Sequence, residues 1–366
     1  MRRQIILAGL KARPVRTAVS VLAVAIEVTL ILVISGLASG MVGESARRIA
    51  GIGADIMLQP PHASVLLSFN SSVMPQKLGD KLLEIEGIKA VAPVLVQING
   101  QGGLEQVWGL DPASFDTVSG GFHYQQGAAF SSPDEIVVDD WYASAKKVKI
   151  GDRVEILNEK LRIAGIIDHG KGARIVMGLR AAQERTGSID KASIFFIKLN
   201  NPSDYPAVAA RLKEVLPEYT VINLPEYESL MTPDHLPGLS EFLQVVSFIA
   251  VSIGVLVIFL SMYTSITERT REIGVLRSLG SSKGVIVGLI LEESVALCAI
   301  GAVAGLGLSY LVGRGIIMAF PTLSVNFTPG WITTALVLAI LSGVIGSLYP
   351  SYKAARQDPI EALAYE

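Results

Sequence analysis

Residues 268–280, Glu-Arg-Thr-Arg-Glu-Ile-Gly-Val-Leu-Arg-Ser-Leu-Gly, lie between two strongly apolar segments of the chain. The charged side chains of this stretch cannot lie in hydrocarbon, so we place it in water or at a membrane surface. The apolar residues among the charges give a helix one face to bury; they are Ile273, Val275, Leu276 and Leu279. A short amphipathic helix that joins two membrane spans is suited to gripping a soluble partner.

Continuous apolar runs are confined to the two ends of the chain, and its middle reads like a soluble domain. Because a membrane span needs roughly 20 apolar residues, four segments qualify: 17–40, 242–263, 284–313 and 331–350. The first is longer than a typical signal-peptide core of about 7–15 residues, so we expect a span there. The sequence therefore predicts a membrane α-helical protein with four transmembrane helices and a large mixed α+β extracytoplasmic domain between helices 1 and 2.

The orientation of the spans follows from lysine and arginine, which accumulate on the cytoplasmic side of a membrane protein. Of the twelve basic residues outside 41–240, all but Arg314 fall on one side of the predicted membrane. We therefore predict that both termini are cytoplasmic and that residues 41–241 are extracytoplasmic. The remaining segments are an amphipathic interfacial helix, a cytoplasmic helical loop, a short outer loop and a cytoplasmic tail: 1–16, 264–283, 314–330 and 351–366.

The middle of the chain alternates between strand and helix signals. Residues 41–56 look helical at first and then end at Gly51 and Gly53, so we expect the first span to continue outward as a stalk. We expect 226–241 to do the same on the way back, once past Pro233 and Pro237. Seven segments between them read as strands: 55–59, 90–98, 135–138, 153–157, 161–167, 194–199 and 219–222. Four segments read as helices: 75–86, 141–148, 179–187 and 204–216.

We find no catalytic or metal site in the sequence. The four histidines are scattered, with no cysteine neighbour and no pair at helical spacing. Gly165–Gly172 nearly spells a phosphate-binding loop, but Gly172 stands where serine or threonine would hold magnesium. Neither the formal net charge of −2 nor its distribution suggests nucleic-acid binding. We therefore expect a non-catalytic chain that binds no cofactor and no nucleic acid.

Two acidic residues within the predicted spans, Glu27 and Glu293, are intramembrane polar candidates. No lysine or arginine of the other spans lies at the depth of Glu27, so its carboxyl group is protonated, hydrogen-bonded to a span hydroxyl, or facing a wet groove. We expect Glu292 or Glu293 to pair with basic residues of 264–283. Small residues that allow close helix approach are Gly36, Gly40, Gly301 and Gly305.

Three separated motifs stand near the predicted membrane boundaries. Leu10–Thr17 enters the first span, Glu268–Gly280 follows the second, and Tyr349–Leu363 closes the fourth. Leu291–Glu293, with Gly301 eight residues after it, adds a further point in the third span. In this combination the chain resembles the FtsX/MacB-type ABC transporter permeases, also described as type VII ABC systems. A weaker likeness in the middle domain rests on Val148–Asp152 and Ile163–Ile166.

The resemblance implies a permease of the bacterial cytoplasmic (inner) membrane that works as a dimer and carries a MacB-like extracytoplasmic core domain over 41–241. A second permease copy, identical or a paralogue, and two copies of a cytoplasmic ABC ATPase would complete it, with ATP and magnesium bound by the ATPase. The 264–283 loop would be the coupling helix. Residues then expected to meet the ATPase are Glu268, Arg269, Arg271, Glu272, Ile273, Leu276, Arg277 and Leu279.

The resemblance leaves the cargo open. We expect export or extraction of a lipid, lipoprotein or amphiphile, or mechanotransmission without cargo, with a periplasmic adaptor or substrate protein as a further candidate partner. MacB-like members carry a fused N-terminal ATPase that is missing from this sequence, so we expect the ATPase on a separate chain. Glu27 stands where the family usually has a small residue, which argues against tight dimer packing at that point.

Two other classes of function are open at this stage. A membrane-anchored extracytoplasmic sensor or scaffold would need no ATPase, but it leaves residues 268–280 without a purpose. A membrane enzyme acting on lipid or peptidoglycan would need a polar catalytic cluster, and none stands out. Recovery of an ATPase with the chain distinguishes the permease from both.

Overall fold

The computed structural model describes residues 14–61, 72–100, 105–231, 236 and 238–357. It divides into two compact units, which we call the helical unit and the sheet unit. The helical unit contains the described residues up to 40, from 238 to 319 and from 325 onward, and the sheet unit contains those from 41 to 236 and 320–324. Nearly all of the predicted interfacial helix and most of the predicted tail lie outside the described residues.

Long helices lie toward the two ends of the described chain, and shorter ones lie between them. In chain order the helices are α1 (Pro14–Ala50), α2 (Leu78–Leu83), α3 (Pro112–Ser119), α4 (Asp140–Lys146), α5 (Leu179–Thr186), α6 (Tyr205–Val215), α7 (Leu224–Leu230), α8 (Leu239–Glu268), α9 (Thr270–Ser278), α10 (Lys283–Ala319) and α11 (Pro329–Ala355). Four of them, α1, α8, α10 and α11, are long and apolar enough to cross a membrane. The prediction of four transmembrane helices is therefore confirmed.

The strands are β1 (Ile56–Gln59), β2 (Met74–Pro75), β3 (Ile88–Asn99), β4 (Glu105–Leu110), β5 (Tyr124–Gly127), β6 (Glu135–Asp139), β7 (Arg153–Ile156), β8 (Glu159–Ile167), β9 (Ile175–Gly178), β10 (Lys191–Ala192), β11 (Ile194–Leu199) and β12 (Thr220–Asn223). One sheet has the order β12-β1-β11-β3-β4-β9-β6-β8-β5, with β7 on β8, and β2 pairs with β10. The pairs β4–β9 and β6–β8 are parallel and the other pairs are antiparallel. The sheet is thus mixed, and the mixed α+β class is confirmed.

Helix α1 is much longer than the first predicted span, because the helix continues past the apolar run into a polar stretch. Pro14 begins it, since the fixed φ and missing N–H of proline suit the first turn of a helix. The helix ends before Gly51, where a Cβ would collide with the Gly170 carbonyl oxygen. Glycine is therefore required where the chain leaves α1.

The region of the second predicted stalk, 226–241, holds the end of one helix and the beginning of the next. Helix α7 ends at Leu230 and α8 begins at Leu239. Gly238, just before α8, has a φ of +84°, a backbone conformation that favours glycine and does not continue a helix. Among the described residues, only α1 extends a span as a continuous helix into the sheet unit.

Small residues bring α10 against α1 in the helical unit. A Cβ on Gly301 would lie 2.7 Å from the Cβ of Val24, and one on Gly305 would lie 2.8 Å from the Cβ of Val28. Real Cβ atoms do not approach so closely, so the helix backbones can be this near only because both positions are glycine.

Gly36 has a different neighbour from the one that the helix-packing prediction implies. A Cβ on Gly36 would lie 3.0 Å from the ring of Phe327, in the connection between α10 and α11. The Asn326 N–H also donates to the Gly36 carbonyl oxygen at 2.9 Å. Gly40, one turn later, is buried. Gly36 therefore lets a loop, and not a helix, close onto α1.

The sequence-based prediction lacked several elements of the sheet unit and gave one helix the wrong bounds. Strands β5 and β9, of four residues each, were not predicted. Strand β4 and helix α3 were also not predicted. The helix predicted over 75–86 is wrong in extent, because Met74–Pro75 pairs with β10 and only Leu78–Leu83 is helical.

Candidate functional site

Helix α9 is separated from the long helices on either side by two breaks. Arg269 has non-helical backbone angles, φ −107° and ψ 16°, between α8 and α9. After α9, Gly280 has a φ of +90°, and the Ser281 N–H donates to the Leu276 carbonyl oxygen at 3.1 Å. A glycine in this conformation is a common way to end a helix. Residues 268–280 therefore contain a separate short helix.

The apolar residues of α9 and its C-cap face in two directions. Ile273 is only 8% exposed and belongs to the core of the helical unit, with Ile286 and Ile290 of α10. Leu276 and Leu279 are 37% and 79% exposed, and Val275 is also exposed. Ile273 thus holds the helix to its own chain, so its predicted role of filling a partner's groove does not match its burial.

Five exposed charged and apolar residues of α9 and its C-cap form one surface, which we call the α9 surface: Arg271, Glu272, Val275, Leu276 and Leu279. Residues three and four apart are neighbours on a helix, so Glu272, Leu276 and Leu279 form one row beside Arg271 and Val275. An apolar centre with charges at its edge is the composition of a docking surface.

Arg269 turns away from the α9 surface toward α10. Its Nη1 lies 2.9 Å from Oε2 of Glu293, and Arg16 Nη2 lies 3.4 Å from Oε1 of the same carboxylate. The Glu293 side chain is largely buried, so the two guanidinium groups compensate a charge that would otherwise be costly there. The carboxylate thereby joins α1, α10 and the start of α9, and of the two expected partners Glu293 is the one that pairs with Arg269.

The other predicted charges of this region are placed differently. Glu268 is exposed and lies 3.9 Å from Arg16. Arg271 and Glu272 are exposed, and Arg277 is half-buried. Of the charged residues predicted to meet a partner, Arg271 and Glu272 are the ones that the structure brings onto the α9 surface.

Glu27 is buried inside the four-helix bundle of its own chain. The Ser342 hydroxyl donates to Glu27 Oε2 at 3.2 Å, which agrees with the span-hydroxyl interpretation. A Cβ on Gly254 of α8 would lie 2.7 Å from the Glu27 carboxyl carbon, so the carboxyl group occupies a notch that glycine leaves open. Because it faces inward, the Glu27 side chain does not occupy an outer face of the bundle.

Within the sheet unit, the last turns of α1 are tied to β6 by an ion pair that the sequence did not predict. Arg48 pairs with Asp139 at the end of β6, and both side chains are buried. Arg48 Nη1 also donates to the Gly172 carbonyl oxygen at 3.2 Å, and Nε contacts Glu44 at 3.2 Å. Asp139 further accepts from the Tyr142 N–H at 2.7 Å and so caps α4.

A second arginine lies near this ion pair. Arg174 Nη2 donates to the Thr322 carbonyl oxygen at 2.7 Å. Burial, followed by the like charge of Arg48, lowers the pKa of Arg174 from its usual value. Across the described ranges, no group of three or more His, Cys, Asp or Glu side chains is placed to hold a metal ion. The contacts of Arg48 and Asp139 therefore attach α1, β6 and α4 to one another.

Two family models match the chain. The model of the FtsX-like permease C-terminal region matches residues 244–359, and that of the MacB-like periplasmic core domain matches residues 17–215, more than half of the chain. A macrolide export ATP-binding/permease protein MacB from Nitrobacter winogradskyi is 26% identical over 98% of this chain and 59% of its own length. The chain therefore spans about three fifths of that relative.

Two further similarities are more partial. A probable export ATP-binding/permease protein MacB from Pseudomonas entomophila is 40% identical over 36% of this chain and 20% of its own length. The crystal structure of the periplasmic region of MacB from Actinobacillus actinomycetemcomitans is 16% identical, with a TM-score of 0.36 over 50% of this chain and 94% of that chain.

Proposed function

The chain belongs to the FtsX/MacB-like family of ABC transporter permeases, and on this premise we propose that it couples ATP hydrolysis by a separate cytoplasmic ATPase to movements of its extracytoplasmic domain. The chain itself is non-catalytic. Two ATPase copies, which bind the ATP and magnesium, and a second permease copy complete the complex. The protein lies in the bacterial inner membrane with both termini in the cytoplasm and the sheet unit outside.

The observation that carries this proposal is the α9 surface. The apolar residues of this surface are exposed, although α9 itself is held to the bundle. Ile273 is buried in the core, and Arg269 at the start of the helix pairs with Glu293. A short helix that is fixed on one side and apolar on the other is suited to passing a push from a docked protein into the helices that hold it. Buried apolar anchors, of which Leu276 is the central one here, carry most of the binding energy at such surfaces.

For the cargo we propose a chemical class and not a single compound. The Nitrobacter relative is described as a macrolide exporter, and another relative, from Pseudomonas syringae, as a probable syringafactin exporter. We propose export or extraction of an amphiphile, lipid or lipoprotein, or mechanotransmission by the sheet unit alone. A periplasmic adaptor or substrate protein would then meet the sheet unit.

The test is co-purification of the full chain with its ATPase, followed by ATPase measurement, for Leu276→Glu. A buried charge opposite the partner should reduce both association and ATPase stimulation to background, because an isolated carboxylate is costly in an apolar contact. The matched control is Leu83→Glu in α2, a leucine that is likewise exposed but lies in the sheet unit.

The outcomes separate the classes of function. Loss of association in Leu276→Glu but not in Leu83→Glu supports the permease. Recovery of the unmodified chain at full membrane yield without any ATPase points to the sensor or scaffold. Undiminished ATPase stimulation in Leu276→Glu removes the α9 surface from the proposal.

A further inference from the structure

An aromatic and basic groove lies where the C-terminal turns of α8 and α11 meet. Phe259 of α8 lies between two tyrosines, with ring-centroid distances of 6.0 Å to Tyr263 and 6.0 Å to Tyr349. Lys353 of α11 reaches across to α8, where its Nζ donates to the Tyr263 hydroxyl at 2.8 Å and lies 4.7 Å from the ring centroid. The two helices are therefore joined here by rings and one cation.

A second cation stands one turn further along α11. The Arg356 guanidinium lies 4.4 Å from the centroid of the Tyr352 ring. Among the residues that the structure describes, neither Lys353 nor Arg356 has a carboxylate partner. Within the described part of the chain, two positive charges thus stand near one another with aromatic rings as their neighbours and no carboxylate paired with either.

A shallow, open groove of about 350 Å³ lies beside this cluster and is lined by residues of α11 and its C-terminal end: Tyr349, Tyr352, Lys353, Arg356 and Gln357. Tyr349 and Tyr352 are 59% and 50% exposed, on a helix apolar enough to cross the membrane. Tyrosines at such a helix end sit at the level of the lipid headgroups, with the ring toward the hydrocarbon and the hydroxyl toward water. The groove therefore opens where headgroups lie.

Stabilisation of the helix end accounts for part of this arrangement only. Basic residues in the last turn interact favourably with the helix dipole, which explains the sign of the charges. The helix dipole does not explain why Lys353 lies over a ring of α8 and Arg356 over a ring of α11, or why a groove lies beside these residues. Arg314 offers a comparison, because it lies 5.4 Å from the Tyr310 ring near the end of α10 as a single cation.

We propose that this groove binds the headgroup of an anionic phospholipid, with Lys353 and Arg356 on the phosphate and the tyrosine rings against the glycerol and the first acyl carbons. Arginine and lysine are the usual phosphate ligands of proteins, and a basic cluster beside a transmembrane helix attracts anionic lipid. The proposal needs the membrane-spanning fold and not the ATPase, so it stands or falls independently of the proposed function.

The test is native mass spectrometry of the full chain, purified in detergent and incubated with phosphatidylglycerol or phosphatidylethanolamine of identical acyl chains. We expect phosphatidylglycerol to be retained in preference, and the preference to fall roughly 30-fold in Lys353→Ala/Arg356→Ala, because each basic residue near an anionic surface contributes about a factor of five. Lys353→Arg/Arg356→Lys keeps both charges and should keep the preference. Arg314→Ala is the matched control and should also keep it.

Each outcome decides the proposal. Selective loss in the double alanine variant, with folding shown by an unchanged circular dichroism spectrum and by the Arg/Lys exchange variant, supports the lipid site. Equal retention of the two lipids by the unmodified chain overturns it, as does an equal loss in Arg314→Ala. Displacement of the lipid by excess inorganic phosphate would identify a free-anion site and would also overturn it.

Discussion

Replacing Arg48 by alanine tests how α1 is attached to the sheet unit. Arg48 contacts Asp139 of β6, the Gly172 carbonyl oxygen and Glu44 of its own helix. The Arg48→Ala change leaves the Asp139 carboxylate, which is 1% exposed, without its ion-pair partner. Asp139 keeps its hydrogen bond from the Tyr142 N–H, so the start of α4 is retained, and Arg174 remains as a nearby cation without a direct ion pair to it.

The size of the effect follows from the burial of both partners. Breaking a buried ion pair by removing one side chain costs about 3–5 kcal/mol, most of it from the charge left behind. Solvent screening does not reduce this figure much, because Arg48 and Asp139 are both buried. Local opening of β6 and α4 should therefore become roughly 10²- to 10⁴-fold more frequent.

The assay is amide hydrogen exchange of the full chain in detergent, read by mass spectrometry. Peptides that cover β6 and α4 should lose protection by that factor, while peptides of α10 stay unchanged. Arg47→Ala is the matched control, because Arg47 also pairs with Glu44, at 3.1 Å, but is exposed, and an exposed pair contributes about 0–1 kcal/mol. A loss of protection below tenfold in Arg48→Ala, or an equal loss in Arg47→Ala, would refute the reasoning.

Two further changes probe the bundle. Gly254→Ala should destabilise the chain by about 1–3 kcal/mol, because the new methyl group overlaps the carboxyl group of Glu27. Adding Glu27→Ala to the same chain should relieve the overlap. If the two substitutions instead lower thermal stability additively, the methyl and carboxyl groups do not meet. Gly305→Val should lower thermal stability and membrane yield by forcing α10 away from α1, whereas Gly307→Val, where a Cβ meets nothing within 4 Å, should not; equal effects would contradict the packing.

The spans were predictable because apolar length alone identifies them, and Gly51 and Gly53 also marked the end of α1, which closes at Ala50. The return to α8 was less predictable. Pro233 and Pro237 indicated an interruption of any helix over 226–241, but the positive φ of Gly238 just before α8 is a backbone conformation that composition does not reveal.

The candidate site was predictable in its location and not in its orientation. Ile273 and Leu276 are both apolar and are neighbours on the helix, and only their exposed fractions, 8% and 37%, show which one packs into the bundle. Glu293 was an expected partner of residues 264–283 because the span that contains it begins directly after them. The pair between Arg48 and Asp139 joins residues 91 positions apart, and only the register of β6 within the sheet brings them together.

Helix α1 carries a charged anchor near each end. Near its start Arg16 meets Glu293, the carboxylate that also holds Arg269 at the beginning of α9, and near its end Arg48 meets Asp139. Both anchors lie on one continuous helix of 37 residues, which is about 55 Å long and is held together by its own backbone hydrogen bonds. Apolar contacts are non-directional and can slide, whereas a charge-assisted guanidinium–carboxylate hydrogen bond is directional and fixes position. Under the proposed function, Glu293 and Asp139 are therefore the points at which a push must pass through side chains, which is a physical reason for ion pairs at both.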